Sequence, residues 1–407
     1  MLQELYPRCH ARFSSLPLLG SHVEEFVAWL RAEGYPRLPI RLRIAQLPRV
    51  DRLLRRRGTR RIEDLTAFDL IRLTPKNSQD DIYLSATVRS LVRIFTVQGR
   101  LAQRPETPLE ELVSAYRSYL ARVRGFAEST RAGHSATAAE LLSFLGFDDG
   151  PAGLEDLGPR DIESFLRKVG PRVGRGTLQH MVGHLRSFLR FLANRGLVVS
   201  GLDACIDTPR LYRGEHLPRA LPWKIVRAFL AAIDRSTAMG KRDYAMFLLI
   251  ATYGLRTSEV SGLRLDDIEW RPERLRISKP KTKTPLVLPL TEEVGAGLVD
   301  YLRHARPQLP YREVFLRVRA PEGRLRPTAV TEAFQGWTRR SGLPIPYQGP
   351  HCLRHSLAVQ LLRQGAPLKT IGDLLGHRTA ESTCVYLRLN VEDLRDVALD
   401  LPAEVRS

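Results

Sequence analysis

Lysine is scarce in this chain. Of its 63 basic residues only 8 are lysine, against 44 acidic residues, a net charge of +19. Aromatic residues are few, at 7%, and methionine and tryptophan number 4 each. Four cysteines, at 9, 205, 352 and 384, are too few and too scattered for a disulfide scaffold. Cys9–His10 is a single ligand pair with no partner cluster, so neither a metal nor a cofactor is expected. No apolar run approaches the roughly 18 residues that span a bilayer. The opening stretch "MLQELYPRCHARF" has no signal-type apolar region. A cytoplasmic protein without membrane association is therefore expected.

What is abundant is arginine. Its planar fork suits phosphate oxygens, whereas lysine acts as a point charge. A large chain with a pI near 10.3 points to nucleic acid as partner. At 407 residues the chain exceeds what one core supports, and 43% hydrophobic content is enough for several.

Apolar residues at 178, 181, 182, 185, 188, 189 and 192 form a helical stripe, with Thr177 as N-cap and Gly196 as stop. Arg186 and Arg190 fall off that stripe, where they are expected to face DNA. The same period recurs at Leu109, Leu112, Val113, Tyr116, Tyr119 and Leu120, and at Ala138, Leu141, Leu142 and Leu145. Residues 106–200 thus read as a helical domain. The preceding segment, 1–105, resembles a second copy of it. "IEDLTAFDL" (62–70) parallels "LEDLGPRDI" (154–162), and "VRSLVRIFTVQG" (88–99) parallels "LRSFLRFLANRG" (185–196). Arg89 and Arg93 then stand where Arg186 and Arg190 stand. With 19 Lys+Arg against 10 Asp+Glu and the run "RLLRRRGTRR" (52–61), residues 1–105 suit a DNA backbone. Residues 201–222, punctuated by proline, read as a linker. From 223 to 407 helices alternate with one strand-rich interval, "RLRIS" and "LVLPL" around the turn "KPKTKTP", which predicts a hairpin. The expected fold is mainly α, with helical DNA-binding domains ahead of a mostly helical catalytic domain that carries a small antiparallel sheet.

The last domain concentrates chemistry. "TYGLRTSEVSGLRLDDI" (252–268) places Arg256 at a helix start, with Glu259 one turn on as an orienting partner. "PHCLRHSLAVQLL" (350–362) places His351 and Arg354 on one helix face. "LLGHRTAESTCVYL" supplies His377 and, nine residues later, Tyr386. The hairpin turn offers Lys279, Lys281 and Lys283. Two arginines, two histidines, a lysine and a tyrosine can hold a phosphodiester and attack it.

These motifs, in this order and spacing, resemble the tyrosine recombinases of the phage integrase family. The resemblance covers roughly residues 215–395 and the helical domain at 106–200. It implies that Arg256 and Arg354 grip the non-bridging oxygens of the scissile phosphate, whose transition state gains equatorial negative charge. It implies that Tyr386 is the nucleophile that forms a 3′-phosphotyrosine, with no ATP needed for rejoining. His351 is then the proton acceptor, His377 a hydrogen-bond donor to phosphate and a hairpin lysine the acid for the departing 5′-oxygen. Counting back from "VLPL" assigns that acid to Lys281, with Lys279 and Lys283 as alternatives. The family works as a homotetramer on two duplex DNA sites, exchanging strands through a Holliday junction, with a monomer or weak oligomer off DNA. Other recombinases or accessory factors of the same mobile element, a transposon or phage, are implied partners. The tail "NVEDLRDVALDL" (390–401) has an amphipathic pattern that in the family docks on a neighbouring subunit.

Three other readings compete. A type IB topoisomerase shares the chemistry but generally has lysine in place of His351. An inert DNA-binding protein of integrase descent need not retain Tyr386. A metal-dependent nuclease requires a cluster of carboxylates that no single motif here supplies. His355, beside Arg354, reads as structural.

Overall fold

The computed structural model describes residues 1–74, 81–147, 154–210, 218–278, 286–377 and 379–389. The chain divides into two compact units, residues 1–101 together with those from 216 on, and residues 102–215. The fold is mainly α with small antiparallel sheets, the class expected from the sequence.

The first 101 residues carry α1 (Leu2–Leu5), α2 (His10–Ser14), α3 (Val23–Ala32), α4 (Arg37–Arg56), α5 (Ala67–Ile71) and α6 (Ile82–Val97). Helix α3 buries Val23, Phe26, Val27 and Leu30, the spacing of one helical face. Helix α4 buries Ile40, Ile44, Leu47, Val50 and Leu54 around an internal Pro48. The buried Asp51 carboxylate accepts from the backbone N–H groups of Leu18 (2.9 Å) and Leu19 (3.0 Å), which fixes the turn before α3. The arginine run at 52–61 begins within the last turns of α4 and continues past its end.

The second unit holds α7 (Pro108–Arg122), α8 (Glu128–Phe144), α9 (Pro159–Val169) and α10 (Arg175–Asn194). A Thr107–Glu110 capping box starts α7. Helix α10 buries Met181, Val182, Leu185, Phe188, Leu189, Phe191 and Leu192. Each such side chain contributes about 2 kcal/mol relative to exposure. Its N-cap is Gly174, not Thr177, because Arg175 and Gly176 already continue the helix. Beyond α10, Val198, Leu202 and Ile206 pack into the same core, so the start of the segment read as linker is built into this bundle.

The two bundles share local details. Asp69 accepts from the backbone N–H of Thr66 (3.0 Å) at the start of α5, and Asp161 from that of Gly158 (2.9 Å) at the start of α9. After α6 and α10 the chain turns through Gly99 and Gly196, with φ of 65° and 68°.

From 223 on come α11 (Trp223–Ala231), α12 (Ala238–Tyr253), α13 (Thr257–Ser261), β1 (Ile268–Glu269), β2 (Arg274–Ile277), β3 (Leu286–Pro289) and α14 (Glu292–His304). A short pair, β4 (Leu316–Arg317) and β5 (Gly323–Arg324), precedes α15 (Pro327–Ser341), α16 (His351–Arg363), α17 (Leu368–Leu375) and α18 (Glu381–Cys384). A 3-10 turn, Val385–Leu389, continues α18. Strands β1, β2 and β3 form one antiparallel sheet in that order, with Leu275 opposite Leu288 and Ile277 opposite Leu286. This is the hairpin expected from the sequence. Helix α12 is buried nearly all round, from Ala245 to Ala251, and α11, α13, α14, α15 and α16 pack about it. No helix among the described residues is long and apolar enough to cross a membrane.

Candidate active site

The site forms where the end of α12, the start of α13, the first turns of α16 and the end of α17 converge. Gly254 ends α12 in the left-handed conformation (φ 65°), and a Cβ there would lie 2.4 Å from Cδ2 of Leu375 on α17. Glycine is therefore required twice, for the backbone turn and for the close approach.

Two residues later Arg256 is the N-cap of α13. Its Nη1 donates to Glu259 Oε1 (2.8 Å), while Glu259 Oε2 accepts from the Arg256 backbone N–H (2.8 Å). The nearly buried Glu259 thus aims the guanidinium, whose Nη2 reaches the Gly376 carbonyl at 3.5 Å. Arg354, on α16, is buried. It donates to the carbonyls of Gly254 and Leu375, the latter at 2.6 Å, and so ties the ends of α12 and α17 together. Burial, then the Arg256 charge, lowers its pKa to about 10, which leaves it cationic at neutral pH. Both arginines thus meet at the C-terminal end of α17.

Gly376, again left-handed at φ 63°, caps α17 and delivers His377. His377 Nδ1 lies 2.8 Å from Oγ1 of the buried Thr383, and its ring stacks on Tyr386 with centroids 6.2 Å apart. Tyr386 is 1% exposed. Burial raises its pKa, opposed by the charges of Arg354 and Arg256.

The phenol oxygen lies 3.0 Å from Nδ1 of His355. His351, the residue expected to accept the phenolic proton, sits one turn earlier on α16, with its ring edge-on to that of His355 at 5.0 Å. His351 opens to solvent on one side. Protein packed about the other side, with the Arg354 and Arg256 charges, holds its pKa below the ordinary histidine value. His355 is lowered further, to about 4, by burial and then by His351, Arg354, His377 and Arg219. It is neutral at pH 7. The two histidines line a cavity of about 320 Å³ with Arg219, Tyr347 and Cys352.

The structure therefore brings Arg256, Glu259, His351, Arg354, His377 and Tyr386 together. Lys281, with its alternatives Lys279 and Lys283, lies outside the described residues, as does the 390–401 tail. The sequence gives His355 a structural reading and does not single out Thr383 or Gly372, yet all three belong to the site. A Cβ on Gly372 would lie 2.9 Å from Thr383 Oγ1, so this glycine lets α18 close on α17.

The arginines assigned to DNA are engaged within the protein. Arg186 donates to the Ile206 carbonyl (2.5 Å), and Arg190 pairs with Asp203 (3.2 Å). Arg93 pairs with Glu33 (2.7 Å) over the Trp29 ring. It borders a cleft of about 600 Å³ that Arg319, Arg326 and Arg340 also line. Arg89 is exposed, its Nε donating to the Ser85 carbonyl (3.2 Å).

Residues 220–393 match the phage integrase family. A putative integrase/recombinase of Sinorhizobium fredii, y4rA, is 32% identical over 95% of this chain and 95% of its own length. The chain belongs to the phage integrase family. This tyrosine recombinase is also 30% identical to the tyrosine recombinase XerD of Lacticaseibacillus casei, over 70% of the chain and 95% of that protein. Among solved structures, the XerH site-specific recombinase in its post-cleavage complex with a palindromic difH substrate superposes with a TM-score of 0.55. It is 15% identical, over 81% of this recombinase and 93% of that chain. A lambda integrase dimer bound to a COC′ core site gives 0.53 at 18% identity, over 73% and 99%. Both likenesses concern the fold.

Proposed function

We propose that this recombinase cleaves and rejoins duplex DNA at specific sites through a 3′-phosphotyrosine formed by Tyr386. The observation that carries the reading is the placement of the Tyr386 phenol, buried, stacked on His377 and within the field of Arg354 and Arg256. A tyrosine that merely filled the core would not need two guanidinium groups beside it.

Arg256 and Arg354 are preorganised cations for the equatorial oxygens of a pentacoordinate phosphorus. Preorganisation comes from Glu259 for the first and from two helix-end carbonyls for the second. His377, held by Thr383, and His351 are the further hydrogen-bonding groups at the phosphate. In the attack the Tyr386 O–H bond breaks and its proton passes to a histidine of the site, while the phenolic oxygen bonds phosphorus and the bond to the 5′-oxygen breaks. A proton from the hairpin lysine, Lys281 in this reading, completes the 5′-hydroxyl. The phosphotyrosine conserves the bond energy, so rejoining to a second strand requires neither ATP nor a metal.

A lambda integrase tetramer bound to a Holliday junction has this fold at a TM-score of 0.52. We extend its assembly to this chain, a homotetramer acting on two DNA sites. The first bundle is read as a duplicate of the second, each offering DNA its own arginines, Arg89 and Arg93 in the first and Arg186 and Arg190 in the second.

The test uses nicked duplexes tiled across the DNA flanking the chain's own gene, in chelator and without ATP. A covalent protein–DNA adduct, and strand exchange between two such sites, are expected. Adduct without exchange, together with relaxation of a supercoiled plasmid that carries the cleaved duplex, would favour a topoisomerase. No adduct on any duplex would contradict the reading.

A further inference from the structure

We propose that His355, not His351, takes the phenolic proton of Tyr386 and passes it through its ring to the cavity that it shares with His351. The inference rests on the phosphotyrosine reading above and deepens it.

A buried phenol cannot hand its proton to bulk water, and Tyr386 is 1% exposed. Its oxygen is 3.0 Å from Nδ1 of His355, within hydrogen-bond reach of a general base. The His351 ring lies beyond that of His355, edge-on at 5.0 Å, and both border the same cavity. His355 thus touches the phenol at Nδ1 and borders the cavity. An imidazole protonated at Nε2 accepts at Nδ1 and releases from Nε2, a relay no amide side chain can perform.

The step balances. The Tyr386 O–H bond breaks and a proton joins Nδ1. The phenolic electron pair forms the O–P bond. The 5′-oxygen leaves with a proton from an acid other than His355. The Nε2 proton passes to water or His351 in the cavity, and His355 is neutral again. Rejoining runs the same transfers backwards and restores the phenol.

The surroundings favour this use. The groups facing His355 are His351 and Arg354 on α16, His377 after α17, Arg219 ahead of α11 and Tyr386 itself. Tyr347 and Cys352 line the cavity with it. The cations keep the free imidazole neutral and able to accept. A phosphodiester bound at Arg354 offsets part of that positive field and raises the basicity of His355 when DNA is in place.

The experiment measures single-turnover adduct formation by the full chain on the fastest-cleaved of the nicked duplexes, from pH 6 to 9. Wild type is compared with His355→Asn, His351→Asn and Tyr386→Phe. Asparagine keeps a polar atom near the position of Nδ1, so a purely positioning role survives it, but it cannot relay a proton. Wild type should be nearly flat with pH. His355→Asn should be about 100-fold slower at pH 7, with a rate that climbs in proportion to hydroxide and DNA affinity within about threefold of wild type. His351→Asn should keep the flat profile. A flat profile in His355→Asn at any rate, or a hydroxide-dependent profile in His351→Asn alone, would overturn the proposal. Should His355→Asn fail to fold, nitrogen NMR of the wild-type chain with ¹⁵N-histidine decides. An unprotonated Nδ1 on His355 supports the relay, and a protonated one overturns it. Adduct formed by Tyr386→Phe would instead contradict the phosphotyrosine reading itself.

Discussion

Gly254 and Leu375 approach so closely that any side chain at 254 would collide with the Leu375 methyl group. This contact sets the distance between the ends of α12 and α17, and with it the two carbonyls that Arg354 bridges. Gly254→Ala adds a Cβ at positive φ and overpacks that contact. We expect a loss of about 2 kcal/mol of stability, measured by urea unfolding, with adduct formation falling more than DNA binding. An unchanged unfolding midpoint would show that the two helix ends adjust freely.

Thr383 acts through His377. With its Oγ1 2.8 Å from Nδ1, it fixes the tilt of the imidazole, which the proposed function sets against the phosphate. Thr383→Val keeps the shape and removes the hydroxyl, and we expect cleavage to slow by about 10-fold, the worth of one hydrogen bond of roughly 1.4 kcal/mol. Thr383→Ser should recover most of the rate. Equal rates for Val and Ser would remove Thr383 from the account.

The second unit should respond to acid. His134 is buried, 3.0 Å from the Tyr116 hydroxyl and with its ring centroid 4.1 Å from that of His184. Burial, then the His184 and Arg124 charges, lowers its pKa to about 4, and burial lowers His184 as well. The unfolded chain, with histidine near 6.5, binds more protons in this window than the folded one. Stability is therefore full above pH 6.5 and is lost as pH falls towards 4, by an amount on the order of 2 kcal/mol. Hydrogen exchange along α8 and α10 should accelerate between pH 7 and 5, once corrected for intrinsic rates. A His134→Asn chain should show less of this dependence.

Salt dependence tests the arginines proposed to face DNA. Arg89 is exposed, its Nε donating to the Ser85 carbonyl, whereas Arg93 is held by Glu33 and Trp29. Arg89→Ala should lower the log–log salt slope of DNA binding by about 0.9. Arg93→Ala should change it less. Identical slopes in all three proteins would argue that the first bundle contacts protein instead.

Much of this was legible in the sequence, for physical reasons. A helical stripe such as that of α10 declares itself because burial repeats every 3.6 residues. The start of α10 did not, since Thr177 is a good cap by type while backbone geometry places the cap at Gly174. Off-stripe positions told that Arg186 and Arg190 avoid the core. They could not tell that the returning chain at 203–206 supplies Asp203 and the Ile206 carbonyl as partners. The clustering of Arg256, His351, Arg354, His377 and Tyr386 followed from motif order. His355 reads as structural in the sequence because its partner lies 31 positions away. Only the path of α17 and α18 brings the two into contact.

The most direct test of the central claim locates the covalent bond. The adduct formed on the nicked duplex is digested with protease and nuclease, and the nucleotide-bearing peptide is sequenced by mass spectrometry. The account predicts the nucleotide on Tyr386, and no adduct at all from Tyr386→Phe although that variant still binds DNA. A nucleotide on any other residue, or adduct from the phenylalanine variant, would contradict it.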